Sequence, residues 1–167
     1  MAKRSFMLAT WTPTAVADNT NFTDNAYQGL MGGSTTQRIL VSEIYMGGQA
    51  TSSAPCIMVV SRDSTVQATP TALTTGQYDA ATDPATAALA APAVSFTAST
   101  TKPKRSTTLG LLNLSFNALG GVVHWQAPPG GELGMLGNTA SLGEISLSAY
   151  TGGTVGLMGS YIIYEPL

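Results

Sequence analysis

The chain has 167 residues, 44% hydrophobic and only 10% charged, with a formal net charge of −2, whereas about 25% charged residues is usual. Seven Lys and Arg residues in all are too few for the concentrated basic surface that phosphate contacts require, which excludes nucleic acid from the expected partners. The hydrophobic share excludes a disordered chain, and the length suffices for one domain over residues 1–167, because a chain near 150 residues buries roughly 68–70% of its unfolded surface.

In chain order, a short arm of about residues 1–5 carries Lys3 and Arg4, and residues 4–11 read as a first strand with Phe6, Leu8 and Trp11 as its inward candidates. Thr12-Pro13 stops it. The apolar stretch at Phe6-Met7-Leu8 is cut by Thr10, Thr12 and Pro13, so a signal peptide is not expected. No run approaches the ~18 apolar residues of a membrane span, so no membrane partner is expected either. The Asn-x-Ser/Thr matches at Asn21 and Asn113 therefore carry no weight. Residues 12–36, with Pro13, Asp18, Asn19, Gly29 and Gly32-Gly33, read as a long ordered crossing from one sheet to the other, with an edge strand within it as the alternative.

Residues 37–46 are the next strand, with Ile39, Val41, Ile44 and Tyr45 as its apolar content and Gly47-Gly48 at its end. Cys56 to Ser61 is a continuous apolar run closed by Arg62-Asp63-Ser64, the pattern of a strand buried on both faces. Residues 65–107 hold eleven threonines mixed with alanine and proline. One short helix is predicted there near 83–91, with Asp83 as N-cap, Pro84 at the first helical position and Pro92 barring continuation. Ala93 to Ser99 is a further strand, followed by a loop with Lys102, Lys104 and Arg105. From Leu109 onward the chain becomes regular. Leu112, Leu114 and Phe116 alternate with polar residues, as do Ile145, Leu147 and Ala149, and turns stand at Gly120-Gly121, Pro128-Pro129-Gly130-Gly131, Gly137-Asn138 and Thr151-Gly152-Gly153. Five strands fit this third, with Gly130-Gly131 and Gly152-Gly153 between them as hairpin turns.

The total is eight or nine strands, and the long early crossings favour an all-β, two-sheet antiparallel sandwich of jelly-roll type over an up-and-down barrel.

Residues capable of chemistry are scarce. His124 is the only histidine and Cys56 the only cysteine, which rules out a two-histidine metal site, a thiolate cluster and an intrachain disulfide within one subunit. In Val122-Val123-His124-Trp125-Gln126 the histidine reads as a sheet-face residue bonded to a neighbour. The acidic residues show no close pairing that would set two carboxyl pKa values apart. Asp79 and Asp83 are the nearest and read as turn and cap residues, a weak calcium loop being the alternative. No catalytic, cofactor-binding or metal-binding residues are assigned, no cofactor is expected, and an enzyme is the least favoured class. Tyr150, Tyr161 and Tyr164 have two readings, as subunit contacts or as caps on the core with hydroxyls in water.

At Gly120-Gly121-Val122-Val123-His124-Trp125, Pro128-Pro129-Gly130-Gly131-Glu132 and Gly159-Ser160-Tyr161-Ile162-Ile163-Tyr164-Glu165, the chain resembles the small jelly-roll head proteins of tailed bacteriophages. It is similar to the cement or decoration proteins that sit outside a capsid, commonly as trimers. The resemblance implies a structural virion protein on the capsid exterior, made in the bacterial host cytoplasm, whose partners are the major capsid protein and further copies of itself in a trimer. By the same resemblance it is expected to bridge neighbouring capsomers without catalysis. Candidate capsid or subunit contacts are Lys3, Arg4, Trp11, Tyr150, Tyr161 and Tyr164. The rival is a carbohydrate- or receptor-binding sandwich of a virion head or tail, which exposed Trp11 or Trp125 beside Asn and Asp would support. A ring-forming tail or minor head protein is a further alternative.

Overall fold

The computed structural model of the chain describes residues 5–10, 14–16, 26–31, 38–48, 50–53, 55–65, 75–78, 104–105, 110–136, 144–149 and 154–167. Twelve strands lie in them: β1 (Phe6–Thr10), β2 (Thr14–Val16), β3 (Ala26–Met31), β4 (Arg38–Gly48), β5 (Pro55–Thr65), β6 (Thr75–Gln77), β7 (Lys104–Arg105), β8 (Leu112–Asn117), β9 (Val122–Gln126), β10 (Leu133–Leu136), β11 (Glu144–Ala149) and β12 (Thr154–Pro166). Nine have four or more residues, the number read from the sequence, with β3 standing at the end of the smaller sheet within the segment read as a crossing, and the described residues contain no helix. The short helix expected near 83–91 and the strand expected over 93–99 lie outside the described residues.

Every pairing is antiparallel. One sheet runs β10-β4-β12-β1-β6, with β9 also on β4 and β2 also on β12; the other runs β3-β11-β5-β7, with β8 also on β5. Phe6, Leu8, Ile44, Met46 and Ile162 from the first sheet share one buried cluster with Leu30, Met58, Phe116, Ile145 and Leu147 from the second, so the two sheets form a sandwich around a common core. The five C-terminal strands are not a local meander. The chain passes from β8 in the smaller sheet to β9 and β10 in the larger, back to β11, and again across to β12.

β12, the longest strand among the described residues, and the 11-residue β4 form the middle of the larger sheet. β12 pairs with β4 from Met158↔Gly48 to Pro166↔Ile39. The flanks of this pair are each made of two strands placed end to end. β9 and then β10 lie along β4, at Gln126↔Glu43 and Leu133↔Val41. β1 and then β2 lie along β12, at Thr10↔Ser160 and Thr14↔Leu157.

This arrangement corrects one expectation. Pro128-Pro129-Gly130-Gly131 does turn, with Gly131 N–H donating to the Pro128 carbonyl at 2.8 Å and Gly130 at φ 76°, as a turn with Pro first and positive-φ Gly second demands. It is not a hairpin, because β10 resumes the direction of β9 on the same neighbour. The turn fills the gap opposite a bulge. The β4–β12 register slips between Ile163 and Tyr164, passing from Ile163↔Glu43 to Tyr164↔Val41, which leaves Ser42 as the extra residue. Ser42 is held there by both its polar groups: its Oγ donates to the Ile163 carbonyl at 3.3 Å, and its carbonyl accepts Ala127 N–H at 2.8 Å.

The bulge reverses which residues of β4 face the core. Before it, Ile39 and Val41 are inward; after it, Ile44 and Met46 are inward, and Glu43, Tyr45 and Gly47 face out. At the end of β4, Ala50 N–H donates to the Ala118 carbonyl at 2.9 Å, and a Cβ on Gly48 would lie 2.3 Å from the Ala118 backbone. That close approach brings the β8–β9 turn against β4. Within the turn Asn117 Oδ1 accepts Leu119 N–H at 3.1 Å, the Asn117 carbonyl accepts Gly121 N–H at 2.9 Å, and Gly120 has φ 79°. The left-handed backbone at Gly120 suits glycine.

Candidate functional site

The outer face of the larger sheet carries a row of three rings across three neighbouring strands. His124 on β9 is opposite Tyr45 on β4, which is opposite Tyr161 on β12. Residues directly opposite in antiparallel strands bring their Cβ atoms to about 5 Å, close enough for rings to stack. His124 and Tyr45 stack with centroids 3.9 Å apart and planes 10° apart, and Tyr45 and Tyr161 at 4.4 Å and 19°.

Glu43, two residues before Tyr45 and on the same face, fixes the row. Its Oε2 accepts the Tyr45 hydroxyl at 2.9 Å and lies 3.0 Å from His124 Nε2. A carboxylate only accepts, so Nε2 carries the proton of the imidazole. The His124 side chain is 38% exposed and that of Glu43 20%, so the pair works in high dielectric and its value is orientation more than stability.

The carboxylate also governs the phenol. The Tyr45 hydroxyl is pushed up to about 12, first by its hydrogen bond to Glu43, then by desolvation and by the neighbouring negative charge. Tyr161 is raised as well, chiefly by desolvation. Both phenols are therefore neutral at ordinary pH. An unfolded tyrosine releases its proton near 10, so the folded state holds the Tyr45 proton more tightly. The resulting preference for the folded state is complete below about pH 10 and is lost as pH rises through about 12. Absorbance titration at the tyrosinate band is expected to include, in the native protein, a late step near 12 that belongs to Tyr45. Tyr45→Phe removes that late step, and Glu43→Ala moves it down toward the ordinary value; an unchanged late step in Glu43→Ala would contradict the Glu43–Tyr45 bond.

Beside the row the same face is hollow. Gly47 and Gly159 are opposite each other, no atom lies within 4 Å of a Cβ built on Gly47, and the trough above them has a volume of about 460 Å³. Tyr45 and Tyr161 wall one side, and Gly120, Gly121 and Val122 close another. Val122 is 79% exposed. The arrangement presents ring edges, two phenol oxygens and bare backbone in fixed positions, which suits recognition. Among the described residues no group of three or more His, Cys, Asp and Glu is placed to hold a metal ion, and no helix is long and apolar enough to cross a membrane.

Of the contact residues expected from sequence, Tyr161 is on this face. Tyr164 is not: its ring is fully buried in the core, tilted against Phe6 with centroids 6.0 Å apart, so the contact reading is corrected for Tyr164. It is two residues from Ile162 on β12, which is also in the core, so strand alternation sends it inward. Lys3, Arg4, Trp11 and Tyr150 lie outside the described residues, as do Asp79 and Asp83. Trp125 is opposite Ile44 and packs against the core, so it does not supply the exposed indole that a carbohydrate-binding reading looked for. His124 is the expected sheet-face histidine bonded to a neighbour. Glu43 and Tyr45 were passed over in the sequence, and their one signal was the i, i+2 spacing that puts both on one face of a strand. Set against models of known protein families, curated proteins and solved structures, the chain matches none of them.

Proposed function

We propose that the protein is a structural virion component without catalytic activity, a cement or decoration protein of jelly-roll type. It attaches to the outer surface of a bacteriophage capsid as a trimer and bridges neighbouring capsomers of the major capsid protein. The observation that carries this reading is the outer face of the larger sheet. Its middle is the longest strand pair of the fold, and its side chains are held rigidly by stacking and by Glu43. A preorganised surface loses little conformational freedom when it is covered, and many copies on one shell multiply modest contacts through avidity.

The division of labour follows. The paired strands are the rigid body, and the N-terminal arm with its Lys3 and Arg4 is the adhesive. Removing residues 1–4 spares Ser5, whose carbonyl accepts Tyr78 N–H at 3.0 Å. The truncated protein is expected to keep the strand signature in circular dichroism and the oligomeric mass in light scattering, and to leave undecorated shells bare in a co-sedimentation assay. Full occupancy by truncated protein would remove the arm from the mechanism, and failure of the intact protein to bind shells would remove the cement role itself.

A further inference from the structure

On one side the larger sheet ends with β9 and β10, both laid along β4. A sheet edge presents backbone N–H and C=O groups with which another strand can pair. On β10 the Gly134 carbonyl is already taken, because Arg62 of β5 donates to it through Nη2. β9 has no such cover. Among the described residues it pairs with β4 alone, and without a bulge. Its sequence, Val122-Val123-His124-Trp125-Gln126, holds no Pro, Lys, Arg, Asp or Glu, the residues that commonly protect an edge.

The backbone decides which groups face out. Ala127 N–H donates to the Ser42 carbonyl, and the register runs on from Gln126↔Glu43 to Val122↔Gly47. Hydrogen-bonded and non-bonded pairs alternate along an antiparallel ladder. Val123 and Trp125 therefore turn their backbone groups toward β4, while Val122, His124 and Gln126 turn theirs to the open edge. The stack of His124 on Tyr45 at 3.9 Å agrees, since side chains come closest at non-bonded pairs. Val122, His124 and Gln126 are all exposed.

Two copies of β9 fit each other in one register. With a two-fold axis at His124, Val122 is opposite Gln126 of the second copy and His124 is opposite His124 of the second copy, so every outward N–H and C=O finds its complement. On the inner face the same register sets Trp125 against Val123 of the second copy, at non-bonded positions where side chains meet. Both are half-buried against the core, and aromatic with β-branched is a favourable cross-strand pair. A shift of two residues either way leaves outward groups unpaired, and the centred register sets no carboxylate, Lys or Arg opposite another.

We infer that β9 is a self-association edge, to which a second copy of this chain adds its own β9 antiparallel through an isologous contact. The axis stands perpendicular to the joined sheet, so both outer faces look the same way. The contact uses the strand edge and leaves the outer face open; it goes beyond the trimer and shell attachment proposed above and does not depend on them.

Two measurements on purified protein test it. In a Cys56→Ser background, His124→Cys is expected to give a disulfide-linked dimer with oxidised glutathione, because directly paired residues lie about 5.5 Å apart. Val122→Cys is expected to give none, since its counterpart lies four residues along the strand, on the order of 14 Å away. In sedimentation equilibrium the intact protein is expected to have twice the mass of His124→Lys, which sets like charges opposite each other on the axis. Equal masses overturn the inference, as does cross-linking that fails in His124→Cys or is as strong in Val122→Cys. So does amide exchange at Val122, His124 and Gln126 that is fast in the purified protein and slowed only on shells, because the occupant is then a strand of another protein. Co-sedimentation reads shell attachment separately, so either proposal can fail alone.

Discussion

Tyr164→Ala is expected to lower the unfolding free energy by about 3–5 kcal/mol, the usual cost of deleting a large buried ring. Tyr164 is fully buried and lies against Phe6, and its neighbours come from a strand paired along its whole length, so the void closes poorly. The companion substitution Tyr161→Ala, three residues earlier, removes a ring from the outer face. Its expected cost is about 1 kcal/mol, from the lost stack on Tyr45. Chemical denaturation of both variants measures the contrast directly. Equal losses would mean that the two tyrosines do not lie on opposite faces of β12.

The second large effect is at a pair of adjacent glycines. Gly48→Val is expected to cost about 1–3 kcal/mol, toward the upper end, as over-packing does when the obstacle cannot yield. A Cβ at Gly48 would lie 2.3 Å from the Ala118 backbone, and that backbone is tied to Ala50 by a hydrogen bond of 2.9 Å. Gly47→Ala, one residue away, adds its methyl to open space. It is expected to leave stability unchanged or to raise it by about 0.4–1 kcal/mol through the unfolded chain. Thermal melts of the two single variants separate a packing role for Gly48 from a general intolerance of the strand end.

Some of this architecture is legible in the sequence. Phe6 and Leu8 are both buried, as their alternation requires, and the period-two pattern of residues 145–149 marks β11 with Ile145 and Leu147 in the core. Such signals are local. The parts that escape are those set by distant partners. The Ser42 bulge is invisible in residues 37–46 because it exists only in the register with β12, and it alone decides that Tyr45 faces out while Val41 faces in. Tyr161 and Tyr164, at a spacing of three along a strand, must point to opposite faces, but which is buried depends on that same register. The bond between Glu43 and His124 joins residues 81 apart, and no local pattern announces it. The Pro128–Gly131 turn was legible as a turn, and its failure to reverse the chain follows from a bulge on another strand.

The place of β12 between β1 and β4 bears on how the protein is made. During translation the larger sheet cannot close at its centre until residues 154–166 have been synthesised, since both of its inner partners precede them in the chain. Until then β1 and the apolar face of β4 wait with an unfilled slot between them. Such long-range pairing makes folding slow and leaves incomplete chains prone to association. A nascent chain stalled before Thr154 is thus expected to be the form most prone to association, and docking of β12 between β1 and β4 is the step that closes the sheet.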